Sequence, residues 1–142
     1  MQNFLFMAHS GWRYIVLVAV IAAIGYGVYG FLTNQRWNDT ARKIMLFATI
    51  AIDIQFLLGL ILYVVRKGWE EQWGAGSRFE HPFFMLLALA VMHIVSGRTK
   101  KIKIERSRYQ VMAMGTLVAV LLVVGGILRL TGGSMGRVFG MG

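Results

Sequence analysis

Four apolar runs divide this chain, and their lengths leave few folds open to it. Tyr14 to Leu32, Ile54 to Val65 and Tyr109 to Leu128 carry no formal charge, and Pro82 to Ser96 carries only His93 as a titratable group. With their flanks the runs approach or exceed the ~20 residues that a helix needs to cross ~30 Å of hydrocarbon. The chain is 57% hydrophobic, against ~45–50% for an ordinary soluble domain. The expected fold is therefore all-α: an integral membrane up-and-down four-helix bundle. Its spans fall at about 4–32, 43–65, 81–97 and 109–131, and residues 1–142 form a single transmembrane domain with no room for a soluble one.

The formal net charge of +9 sits in short connections between the runs, not on a nucleic-acid-binding face. Basic residues in such places meet lipid headgroups and set topology. The connections after spans one and three hold Arg36, Arg42, Lys43, Arg98, Lys100, Lys101, Lys103, Arg106 and Arg108. The opposite side holds Arg13, Arg66, Lys67, Arg78, Arg129 and Arg137. The positive-inside rule then places the N and C termini outside and the richer basic loops in the cytoplasm. The chain has no cysteine, which excludes disulfides, iron–sulfur clusters, c-type haem attachment and thiolate metal sites. Met1-Gln2-Asn3-Phe4 lacks the basic n-region of a signal peptide, so the first span is expected to be retained.

Smaller signals fill in the elements. Ala23 and Gly27 form a small-xxx-small pair suited to close helix approach. Trp69 and Trp73 read as interfacial belt residues, and Gly74-Ala75-Gly76-Ser77 as a turn. Pro82 suits the first turn of span three. Gly132-Gly133-Ser134 ends span four ahead of a short Gly/Met tail.

The chemistry concentrates in two places. His9 and His81 open spans one and three, which run in the same direction in an up-and-down bundle. Both imidazoles then lie at one depth near the outer face, where they can supply the axial ligands of a b-type haem iron. Arg13 lies one helical turn from His9, and Arg129 near the outer end of span four. Their planar guanidinium forks match the two haem propionates. The bland alternative makes the histidines interfacial groups bonded to loops and the arginines snorkelling cations.

The second place is Asp53 and Gln55, in mid-span. A carboxylate there costs ~2.5–3.5 kcal/mol on insertion scales unless paired or protonated. A proton relay, a bond near a quinone, or interhelical glue are the readings open to it. His93 lies about 120° around the helix from His81 and toward the other membrane face. It has no partner histidine for a second haem, so a polar bond to a neighbouring helix is expected. Its depth differs from that of Asp53 by about 9 Å at helical rise, which allows a direct or water-bridged pair. The methionines have no metal-relay spacing and read as packing.

Three segments together carry a resemblance. They are His9-Ser10-Gly11-Trp12-Arg13-Tyr14, the stretch Asp53-Ile54-Gln55-Phe56-Leu57-Leu58-Gly59-Leu60-Ile61-Leu62-Tyr63, and Glu80-His81-Pro82-Phe83-Phe84-Met85 followed by His93-Ile94 and a basic loop. The chain resembles a family of small four-span bacterial membrane proteins described as cytochrome b-like. The resemblance implies a membrane bundle linked to electron transfer, with His9 and His81 at the recurrent histidines. The position of Asp53 varies in that pattern and is sometimes His.

These readings lead to two expectations. The first is an electron-transfer subunit of the bacterial cytoplasmic (inner) membrane, without catalytic activity of its own. It carries one haem b between spans one and three, and its partners are the bilayer, other membrane subunits and a quinone. The second is a haem-free accessory subunit of a larger respiratory or photosynthetic complex. A proton path through Asp53 is a third class.

Overall fold

The computed structural model describes residues 1–132. The Gly133-Ser134 part of the expected span-four terminator, the tail, and Arg137 of the charge balance lie outside the described residues. Four helices follow one another: α1 (Gln2–Leu32), α2 (Asp39–Val65), α3 (His81–Lys101) and α4 (Glu105–Leu130). A 3₁₀ turn (Glu71–Trp73) and a π turn (Gly76–Glu80) lie between α2 and α3. No strand occurs among the described residues. All four helices, the third taken with its π turn, are long and apolar enough to cross a membrane.

The helices overrun the apolar runs that announce them. Hydropathy marks the stretch suited to hydrocarbon, whereas helix ends are set by capping and charge. The side chain of Asn38 accepts a hydrogen bond from the Ala41 N–H at 2.9 Å and starts α2 at Asp39. Asp39 and Glu105 lie in the first turns of α2 and α4, and Arg98, Lys100 and Lys101 in the last turn of α3. Each is on the side of its helix dipole that stabilises it. The polar flanks thus remain helical beyond 43, 97 and 109, the limits that hydropathy alone suggests.

The Gly74-to-Ser77 stretch differs from its expectation as a turn. Gly74 turns the chain with φ of 68°, but residues from Gly76 onward coil directly into α3. The His81 N–H bonds back to the Gly76 carbonyl, the five-residue reach of a π turn. Gly76 is needed there for space: a Cβ on it would stand 2.7 Å from the Arg129 carbonyl oxygen of α4. Pro82, with no N–H to place, follows at the start of α3.

Around the bundle α3 packs most extensively on α4, and α1 on both α2 and α4. The α2–α3 seam is the least packed, and α1 and α3 lie diagonally. Small residues line the close approaches. Ala23 is fully buried, and a Cβ on Gly27 would lie 2.9 Å from the Ala113 nitrogen of α4. Met45, Met92 and Met112 fill the middle. Tyr109 plugs the end that carries the α1–α2 and α3–α4 connections. Its ring lies over Gly30, and its hydroxyl donates to the Arg36 carbonyl at 2.9 Å. Large apolar side chains such as Phe4, Val18, Phe47, Leu57, Phe83 and Leu121 face outward. A water-facing bundle would put polar residues there.

Candidate functional site

At the end of the bundle that holds the N-terminus, α1 leans on α2 through one row of contacts. Ala51, Gln55 and Gly59 are spaced by four residues and share a face of α2. The Trp12 indole N–H donates to the Ala51 carbonyl at 2.9 Å. The Gln55 Nε2 donates to the His9 carbonyl at 3.0 Å, and lies 3.3 Å and 3.4 Å from the two ring nitrogens of His9. The ring itself rests over Gly59: a Cβ there would stand 2.8 Å from His9 Cε1. The Gln55 Oε1 is buried and has no hydrogen-bond partner.

His81 enters the same end from the diagonal helix. It opens α3, directly after the π turn, and sits half-buried against α4. Its Nδ1 is buried and leans on the Gly126 backbone without completing a hydrogen bond. A Cβ on Gly126 would lie 2.8 Å from both Phe84 Cβ and Met85 Cε, so this glycine lets the first turn of α3 close on α4.

The two arginines are engaged differently. The Arg129 fork holds the Glu80 carboxylate, with Nε–Oε2 at 3.0 Å and a terminal nitrogen to Oε1 at 2.6 Å. Arg13 folds over Tyr14, its guanidinium carbon 5.1 Å from the ring centroid, and donates to the Tyr14 hydroxyl at 3.3 Å. Glu80 is the group that reading by residue type missed. Its place next to His81, one helix away from Arg129, was the available signal.

Asp53 and Gln55 separate. Two residues apart on a helix, they point about 200° from one another. Gln55 serves His9, whereas Asp53 reaches across the loose α2–α3 seam to His93, Oδ1 to Nε2 at 2.7 Å. Of the direct and water-bridged pairs that the sequence allows, the direct one is present. It lies on the outside of the bundle, its side chains 57% and 40% exposed for His93 and Asp53.

Among the described residues no three or more His, Asp or Glu gather as they would around a bare metal ion. The donors at the His9 end are two imidazoles. A tetrahedral ion wants three or four protein ligands, whereas a haem iron, already ringed by the macrocycle, wants one or two axial ones. In donor number this end fits a porphyrin better than a naked cation. Comparison with protein families, with curated proteins and with solved structures finds no match.

Proposed function

We propose that this chain is an integral membrane electron-transfer subunit, with both termini on the outer side of a bacterial inner membrane. It holds one b-type haem near the outer face through His9 and His81. The observation that carries the reading is the presence of two imidazoles at one bundle end on diagonal helices, His9 in α1 and His81 at the start of α3. The haem, when bound, supplies one-electron chemistry. The chain's own residues orient the ligands: Gln55 and Gly59 seat His9, and the π turn and Gly126 seat His81. Arg13 is the cation that remains for a propionate, because Arg129 is satisfied by Glu80.

A reduced-minus-oxidised absorption spectrum of the purified protein tests this. An α band is expected in the wild type and lost in His9→Ala and in His81→Ala. Its absence from the wild type, or its survival in both variants, overturns the proposal.

The second reading, a haem-free accessory subunit of a larger electron-transport complex, also has observations in its favour. The Gln55 amide already covers both ring nitrogens of His9, and the Arg129–Glu80 pair is complete without a guest. Purification in mild detergent separates the two. Partner subunits that stay attached, with no haem band, favour the accessory role; a stable solitary protein counts against it.

A further inference from the structure

The other end of the bundle carries a groove that the haem reading does not use. It lies along α3, has a volume of ≈ 520 Å³ and is lined by His93, Ile94, Gly97, Arg98, Lys101 and Ile102. One stripe of the helix thus presents a polar pair at its deep end, an unfilled middle and two cations at its mouth. Gly97 leaves the middle open, with nothing within 4 Å of where its Cβ would be. His93 is anchored by Asp53.

Arg98 and Lys101 differ from most basic residues of the protein. Arg42 and Lys43 face Asp39, Lys67 faces Glu70, and Arg129 faces Glu80. Arg66, Arg78, Arg106 and Arg108 lie over aromatic rings. Among the described residues Arg98 and Lys101 share with Arg36, Lys100 and Lys103 the lack of either kind of partner, and of these five only Arg98 and Lys101 line the groove.

We infer that this groove binds one anionic glycerophospholipid, an inference that rests on the membrane reading above. The dimensions and the charge agree. His93 lies ~7.5 Å along the helix axis from Arg98 and ~12 Å from Lys101. Each interfacial layer of a bilayer is ~5–7 Å thick. A phosphate between Arg98 and Lys101 therefore places the glycerol esters level with Gly97 and Ile94, within side-chain reach of His93, and the acyl chains deeper along α3, past His93. A neutral quinone headgroup would account for His93 and Asp53 but leave the two cations idle, so the phospholipid explains more of the groove.

The test is lipid retention by the full chain, purified from mixed micelles of phosphatidylglycerol and phosphatidylcholine and weighed by native mass spectrometry. One phosphatidylglycerol is expected to stay bound in preference to phosphatidylcholine. Near a membrane surface each basic residue contributes enough for about a five-fold loss when removed. Arg98→Gln with Lys101→Gln should thus lower retention about 25-fold. Lys100→Gln with Lys103→Gln removes the same charge outside the groove lining and should cost clearly less than the groove pair. Equal losses from the two pairs would mean surface charge alone, and overturn the site. A quinone retained in place of the lipid, lost on His93→Leu and indifferent to Arg98 and Lys101, overturns it as well. Release of the native protein from membranes by alkaline carbonate would remove the membrane reading and this inference together. A protein that stays in the membrane but keeps no lipid removes the inference alone.

Discussion

His9 owes its position to an atom that Gly59 lacks. The imidazole lies where a side chain of α2 would otherwise project, and a Cβ at residue 59 would approach Cε1 to 2.8 Å. Gly59→Ala should therefore push the ring aside and destabilise the protein by ~1–3 kcal/mol, the usual cost of overfilling a packed site. In a His9→Ala background the same substitution should cost almost nothing, because the atom it collides with is gone. Thermal unfolding of the four proteins in detergent, read as a double-mutant cycle, checks this without reference to any haem. Additive losses would show that the ring does not rest on Gly59. His9 and His81 could be singled out from sequence by type and position. Gly59 could not, since a glycine in an apolar run looks the same whether it faces a ring or the lipid. Gln55 stands out in the sequence beside Asp53, but the helix turns the two to opposite sides, Gln55 to His9 and Asp53 to His93.

At the level of elements the bundle is held by close approaches at some seams and left loose at one. The Ala23/Gly27 spacing was readable as a contact stripe, and the structure spends it on Ala113 of α4. Gly27→Leu should force α1 and α4 apart, at a cost of ~3 kcal/mol or more for so large an insertion. Gly25→Leu, two residues away with nothing within 4 Å of its Cβ position, should leave the melting temperature unchanged or raise it. Paired melts of the two variants in one detergent decide the point; equal effects would place the seam elsewhere. The π turn before α3 was not readable. It depends on Gly76 passing close to the Arg129 carbonyl, a contact between residues far apart in sequence. The loose α2–α3 seam was equally hidden, because an apolar run does not reveal which neighbours it packs against. It is crossed by Asp53 and His93, whose depths in the sequence allow a contact.

Over the whole molecule the two ends of the bundle are chemically unlike, and by the positive-inside rule that difference predicts which way it should face. One end collects His9, His81 and the Glu80–Arg129 pair, with Gln55 reaching His9 from within α2. The other carries the polar α1–α2 connection and the basic stretch from Arg98 to Arg108. Carrying the second across a bilayer during insertion is the harder task, because cationic segments are retained on the cytoplasmic side. The lack of cysteine makes the orientation directly measurable. Single cysteines at Gln72, between α2 and α3, and at Lys103, between α3 and α4, report on opposite faces. In intact cells a membrane-impermeant maleimide should label Gln72→Cys and spare Lys103→Cys, and both should react once the membrane is opened. The reverse pattern would put the termini in the cytoplasm and the two histidines at the inner face. That result would leave the donor set of His9 and His81 intact while moving the electron it handles to the other side. It would also move the Arg98–Lys101 groove to the outer leaflet, so this labelling fixes the side for both proposed sites at once.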